Sequence, residues 1–255
     1  MTITERHKYI LQKLQEEGSV DIIELSDQIQ VSGVTIRKDL KQLEERNLLY
    51  RTRGGGSITN PYAFEKPIDE KEFINSEQKK NIARAALKLV EKTDSIILGS
   101  GTTVFELARA IYPIKRLFVI TPALKIALEL CKRPNVEVLQ MGGVIHPSSA
   151  SAAGAFADLI LEHISCDLLF LGADGIDPEF GISITNINES NLNHKLINIA
   201  QKVVILADSS KFGKRGVGKI CNLEQVHYII TDDEVPETTV KLFEERGIQI
   251  IIANK

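Results

Sequence analysis

The chain has 255 residues, of which 43% are hydrophobic and 25% charged, enough to bury one sizeable core and leave room for a small second domain. Its 31 Lys and Arg against 34 Asp and Glu give a net charge of -3, so any nucleic-acid-binding surface has to be local. No apolar run approaches the roughly 18 residues of a membrane span, and the polar start MTITERHKYI lacks a secretory core, which leads us to expect a cytoplasmic protein without membrane contact.

Cys131, Cys166 and Cys221 are far apart and flanked by apolar residues, so buried free thiols are expected. The histidines show no metal-ligand spacing, and neither a metal nor a cofactor is expected.

From the N-terminus, Ile3, His7, Ile10 and Leu14 recur at helical spacing, and Gly18 follows as a left-handed stop. Asp21 with Glu24 makes a capping-box-like start to a second helix whose inner stripe is Ile22, Leu25 and Ile29. After the short break QVSG, Ser32 caps a third helix with Ile36, Leu40 and Leu43 turned inward. Three short helices joined by tight turns predict a helix-turn-helix.

Charge is uneven along this stretch. Residues 1–31 hold three Lys and Arg against six Asp and Glu, whereas residues 32–56 hold six (Arg37, Lys38, Lys41, Arg46, Arg51, Arg53) against three (Asp39, Glu44, Glu45). At 100° per residue, Val34, Arg37, Lys38 and Lys41 fall within an arc of about 100° opposite the apolar stripe, an arc that suits a major groove. The helix is expected to end at Asn47. LLYRTRGGG then sets Leu49, Arg51 and Arg53 on one strand face before a triple glycine read as flexible, which outlines a wing.

The stretch VSGVTIRKDLKQLEERNLLYRTRGGG resembles the signature of DeoR-type winged-helix repressors, approximately VS-x-x-TIR-R-DL-x-x-LE-x-x-G ending in R-x-x-GG. It departs at Lys38, where the family usually has Arg with its bidentate fork, and at Asn47 in place of Gly. The resemblance implies double-stranded operator DNA as partner, with Ser32, Val34, Thr35, Arg37, Lys38, Lys41, Arg51 and Arg53 as the contacting residues.

Residues 58–75 carry two prolines and weak periodicity, and read as a connector packed partly through Tyr62, Phe64 and Phe73. Three parts are therefore expected: a winged helix-turn-helix over 1–57, a linker over 58–75 and a larger domain over 76–255. In the last, short runs rich in Ile, Val and Leu at 95–99, 117–121, 136–141, 167–172, 202–207, 226–231 and 248–253 read as strands buried on both faces. Helical stretches at 103–112, 123–132, 154–164, 188–200 and 236–246 separate most of them, so the fold class is α/β with a mostly parallel, doubly wound sheet.

Ligands of such sheets bind beyond the carboxyl ends of the strands. Five loops are expected to converge there: GSGTT at 99–103, TPALK at 121–125 (Thr121, Pro122, Ala123), MGG at 141–143 (Gly142, Gly143), GADGI at 172–176 (Asp174, Gly175) and DSSKF at 208–212, which brings Lys211. The first opens a helix whose free N–H groups and dipole favour an anion, with Ser100, Thr102 and Thr103 adding hydroxyl donors.

This set resembles the effector domain of the same family, whose fold is related to ribose-5-phosphate isomerase, glucosamine-6-phosphate deaminase and the CoA transferases. Family members usually show Asp-Ser-Gly-Thr-Thr, and here the first position is Gly99. The resemblance implies that Ser100, Gly101, Thr102 and Thr103 hold the phosphate of a sugar phosphate, with Lys211 adding charge. It implies that Glu189 contacts sugar hydroxyls. The family's lysine four residues on is Asn193 here, with Lys195 nearby.

The first reading is a transcriptional regulator, most simply a repressor of a carbohydrate-utilisation operon released by the phosphorylated sugar, acting as a homodimer or homotetramer. The second is a sugar-phosphate isomerase or deaminase with a fused DNA-binding domain, for which Asp174, Asp177 and Glu189 are the acid–base candidates and an isomerase assay is the discriminating test. A Rossmann nucleotide site has little support, since no G-x-G-x-x-G opens a first helix and no Walker lysine follows GSGTT.

Overall fold

The computed structural model describes residues 1–46, 48–52, 54–58 and 68–254. Asn47, Arg53, Tyr62 and Phe64, singled out above, lie outside the described residues. The chain divides into two compact units, Met1–Phe64 and Glu65–Lys255.

The first unit runs α1 (Ile3–Glu17), β1 (Ser19–Asp21), α2 (Ile22–Ile29), α3 (Gly33–Glu45), β2 (Tyr50–Arg51) and β3 (Gly55–Ser57). Each helix begins on a side-chain cap: Thr2 forms a capping box with Glu5, Asp21 accepts from Ile23 N–H and Glu24 N–H, and Ser32 accepts from Thr35 N–H. Gly18, at φ 76, closes α1. Ile10, Leu14, Leu25, Ile36, Leu40, Leu43 and Leu49 form the core. Ile3 does not join it and is 47% exposed, because it sits in the first turn beyond the reach of the stripe.

The three strands form an antiparallel sheet in the order β1-β3-β2. Two residues of the triple glycine expected to be flexible, Gly55 and Gly56, therefore lie in a paired strand. A Cβ on Gly55 would lie 1.7 Å from the Val20 carbonyl oxygen, so glycine stands there for close approach of two backbones.

The second unit opens with α4 (Ile68–Phe73) and α5 (Ser76–Val90), followed by β4 (Ser95–Leu98), α6 (Thr102–Ala110), β5 (Leu117–Thr121), α7 (Leu124–Leu130), β6 (Val136–Gln140), β7 (Val144–His146), β8 (Ser151–Ala153) and α8 (Ala155–Leu161). Then come β9 (Cys166–Gly172), β10 (Gly175–Asp177), β11 (Gly181–Ile184), α9 (Ile187–Ile199), β12 (Ala200–Leu206), β13 (Gly218–Cys221), β14 (Tyr228–Asp232), α10 (Glu237–Glu244) and β15 (Gln249–Ala253).

The main sheet has seven strands in the order β15-β14-β12-β9-β4-β5-β6, every neighbouring pair parallel. Alternate residues of one strand feed two cores. Leu169 and Leu171 of β9 belong to one, Leu168 and Phe170 to the other, as strands covered on both faces require.

From β4 the chain builds outward through β5 and β6, then returns to place β9 on the opposite flank and continues through β12, β14 and β15. The gap between the carboxyl ends of β4 and β9 is thus the switch point of the sheet.

Several pieces escape the periodicity argument. The hairpin β7–β8 and the small antiparallel sheet β10-β11-β13 use strands of three or four residues, too short to show alternation. Residues 68–73, read as connector, form a helix, and Phe73 is 84% exposed and does not pack as expected. Cys166 and Cys221 are buried free thiols pushed up to about 12 by burial, but Cys131 is exposed at the end of α7.

Candidate functional site

Two surfaces carry functional chemistry, one on each unit. On the first, Val34 is 72% exposed and Arg37, Lys38 and Lys41 are exposed along α3, while Ile36, Leu40 and Leu43 face inward. The acidic residue in their midst turns away from them. Asp39 is buried and accepts from Arg6 Nε at 2.7 Å and Arg6 Nη2 at 3.0 Å, so the outer arc is basic.

Ser32 and Thr35 share a hydroxyl hydrogen bond at 3.0 Å at the start of the helix, and Lys41 lies 3.9 Å from Glu45. Leu49 is buried and Arg51, two residues on, is half-buried, with its N–H donating to Glu44 Oε1 at 3.1 Å. Tyr50 takes the outer face of that strand and is 42% exposed. Sequence reasoning passed over it because the alternation was phased on the arginines.

On the second unit a crevice opens at the switch point. Gly99 N–H donates to Phe170 O at 2.9 Å, which ties the end of β4 to β9 and sets the GSGTT loop against the GADGI loop. Gly101 caps α6 at φ 121, a conformation that favours glycine, and brings no side chain to the first turn, so its N–H groups face the crevice uncapped. The floor of the crevice is Ser100, Gly101, Thr102 and Thr103, with Thr102 and Thr103 each less than 9% exposed.

The family's aspartate at Gly99 would require the Leu171 side chain to shift. A Cβ there would approach Leu171 Cδ2 to 2.6 Å.

Asp174 and Glu189 line the same crevice. Asp174 Oδ2 accepts from Thr185 N–H at 3.0 Å and Thr185 Oγ1 at 2.9 Å, and Lys71 Nζ lies 3.3 Å from Oδ1. Burial pushes this carboxyl up, but the Lys71 and Lys211 ammonium groups and the Thr185 hydrogen bonds outweigh it and hold Asp174 below the usual carboxylate range. Glu189 is buried, and Ser100 Oγ donates to its Oε2 at 3.4 Å.

Lys211 is joined in the crevice by two further lysines. Lys71 of α4 and Lys79 of α5 line the same crevice. Lys79 is 5% exposed and donates from Nζ to the Lys71 carbonyl at 2.6 Å. Burial is the main influence on it and lowers its pKa to about 8, with Asp208 opposing and Lys211 and Lys71 adding to the fall.

Ser149, from the turn between β7 and β8, also lines the crevice. Its buried Oγ has no hydrogen-bond partner among the described residues, the kind of orphan that a ligand satisfies.

The other loops stay outside this lining. Thr121 is buried with its Oγ1 accepting from Ala123 N–H at 3.1 Å, and Pro122 O accepts from Ala152 N–H at 2.8 Å, so this turn is spent on internal bonds. Gly142 and Gly143 lie past the end of β6, two strands from the switch point, and Gly175 is paired within β10. Asp177 caps its own turn and takes Arg215 at 2.9 Å, while His194 bonds the Ile220 carbonyl at 2.9 Å. Lys195 pairs with Asp158 at 2.7 Å, away from the crevice, and Asn193 lines it.

Residues 6–61 match the DeoR-like helix-turn-helix domain, and residues 74–233 match the DeoR C terminal sensor domain. The chain belongs to the DeoR family.

DeoR-family relatives align along nearly its whole length. A putative aga operon transcriptional repressor of Escherichia coli O157:H7 is 34% identical over 255 residues, covering 99% of this chain and 94% of the relative. The HTH-type transcriptional regulator GolR of Listeria innocua is 32% identical, with 98% of each chain covered. Among solved structures, the full-length sorbitol operon regulator SorC of Klebsiella pneumoniae overlaps 92% of this chain and 98% of its own at 12% identity and a TM-score of 0.41. Ribose 5-phosphate isomerase A of Methanocaldococcus jannaschii overlaps 54% and 55% at 19% identity and a TM-score of 0.39.

This DeoR-family chain is thus a DNA-binding transcriptional regulator and not an enzyme. Among the described residues no helix is long and apolar enough to cross a membrane.

Proposed function

We propose that this regulator represses a carbohydrate-utilisation operon in the cytoplasm and is released from its operator when a phosphorylated sugar occupies the switch-point crevice. The observation that carries the reading is one crevice lined both by the uncapped N-terminus of α6 with Lys79 and Lys211 and by the carboxylates of Asp174 and Glu189. A dianion gains from the first set through backbone N–H groups and ammonium charge. Sugar hydroxyls donate to the second set. Neither half alone points to a sugar phosphate; their presence in one crevice supports that reading.

The operator end of the reading rests on α3. Arg37 and Lys38 project from its exposed face, and Val34 offers an apolar contact of the kind a thymine methyl takes. Arg51 and Arg53 are assigned to the wing's phosphate contacts. A homodimer or homotetramer follows from the two half-sites that helix-turn-helix proteins span. The relatives' names, a repressor of the aga operon among them, support the direction of control.

Calorimetric titration with matched pairs of phosphorylated and free sugars tests the crevice. We expect heat from at least one phosphate ester and none from its dephosphorylated partner. Equal binding of the two members of a pair removes the anion cradle from the account.

A further inference from the structure

We propose that Lys71 is a ligand-contacting residue and that α4, the short helix carrying it, is a strap whose hold on the sensor unit changes when the crevice fills. The inference rests on the sugar-phosphate reading above. It concerns a segment that belongs to neither family match, since these end at residue 61 and begin at residue 74.

α4 is held by one buried apolar residue and a set of polar ties. Its apolar anchor is Ile68, 9% exposed, while Phe73 at its other end is 84% exposed. The remaining ties are polar. Ile68 N–H donates to the Ser148 carbonyl at 2.7 Å, Glu72 meets Arg109 at 3.0 Å and Lys125 at 3.5 Å, and Asp69 pairs with Lys125. Part-exposed ion pairs of this sort contribute little each, so the strap opens at small cost.

The inner ties of the strap are made of ligand-binding groups. Lys71 Nζ lies 3.3 Å from Asp174 Oδ1, and the Lys71 carbonyl accepts from Lys79 Nζ at 2.6 Å. Next to Ile68's partner, Ser149 holds its orphaned hydroxyl toward the same space. An incoming dianion therefore competes with Asp174 for Lys71, and the sugar hydroxyls compete with Lys71 for Asp174. Both exchanges break the pair that holds α4 now and replace it with a bridge from Lys71 through the ligand to the α6 cradle.

Where α4 meets α5, Asn75 stands at φ 53, and its Nδ2 donates to the buried Asp208 Oδ1 at 3.0 Å. A non-glycine residue in the left-handed region at this joint, tied to a lining residue of the crevice, fixes where the strap begins.

The test is hydrogen exchange on the full chain, with ribose 5-phosphate, glucose 6-phosphate, glycerol 3-phosphate and inorganic phosphate as probes, alongside calorimetry of the wild type and Lys71→Met. Amides of residues 68–73 are expected to exchange more slowly when the best probe saturates the protein. Lys71→Met is expected to bind that probe about 10- to 100-fold more weakly, the loss of one hydrogen bond to a charged group. Should Lys71→Met fail to fold, the wild-type exchange data decide alone. A probe that protects residues 100–103 but leaves 68–73 unchanged, or that Lys71→Met binds as tightly as the wild type, overturns the strap while leaving the sugar-phosphate reading intact. If no probe binds the wild type, that reading falls and the strap with it.

Discussion

Arg6 of α1 holds the buried carboxylate of Asp39 on α3 through two nitrogens, at 2.7 Å and 3.0 Å. Asp39 is 1% exposed, while the Arg6 side chain keeps 13% of its exposure. Removal of either partner is therefore asymmetric. Arg6→Ala strips a buried carboxylate of both bonds, leaving His7 Nε2 at 3.4 Å from its Oδ1, and is expected to cost the first unit about 2 kcal/mol, whereas Asp39→Ala leaves an arginine that reaches water and costs less. Chemical denaturation of both variants and of the double variant checks this, with the double variant expected to be more stable than Arg6→Ala.

The same pair turns the Asp39 carboxylate away from the exposed arc of Val34, Arg37, Lys38 and Lys41. Arg37→Ala is expected to weaken operator binding by about 1 to 3 kcal/mol and to relax specificity at one base position if the fork reads guanine. Lys41, held 3.9 Å from Glu45, is proposed as a phosphate contact, so Lys41→Ala should lower the salt slope by about 1 without changing base preference. Fluorescence anisotropy across a salt series separates the two behaviours.

Much of this was legible in the sequence, for reasons that differ along the chain. Ser32 with Ile36, Leu40 and Leu43 defines α3 because capping and stripe are both local. The main strands are readable because each is an unbroken apolar run. The crevice was readable only in its loops: Ser100 to Thr103, Asp174 and Lys211 announce themselves at strand ends.

Lys71 and Lys79 could not be found that way. They sit on helices, and only the folding of α4 and α5 over the switch point brings them to the cradle. Conversely, Thr121 to Ala123 and the pair Gly142 and Gly143 looked equivalent because they follow strands, but strand order puts them to one side.

Lys79 gives the site a pH dependence. Its pKa is lowered to about 8, first by burial, so the free protein carries this proton below pH 8 and loses it above. A phosphate dianion favours the protonated ammonium. Above pH 8 binding must take up a proton, and affinity is expected to fall by up to about tenfold per pH unit. Titrations between pH 7 and 9.5 in buffers of different ionisation heat check both the fall and the proton uptake; a flat profile contradicts it.

Thr102→Val removes a hydroxyl from the cradle while keeping the shape of the side chain. A protein that still shifts operator DNA but needs at least about 10-fold more sugar phosphate for release is the expected result, the loss of a hydrogen bond to a charged group. Electrophoretic mobility shift with a ligand series measures it.

Cys131 is exposed while Cys166 and Cys221 are buried with thiols raised to about 12. One thiol is expected to react with a maleimide in the folded protein, and all of them after denaturation. Intact-mass spectrometry counts the adducts.

The measurement that bears most directly on the account is the affinity of the full chain for the DNA upstream of its own coding sequence, taken as a panel of sugar phosphates is titrated in. The account predicts that one phosphorylated sugar lowers that affinity by about 5- to 150-fold, the range of ordinary allosteric coupling, and that its free sugar does not. An operator affinity that stays constant while calorimetry shows the crevice saturated would contradict it.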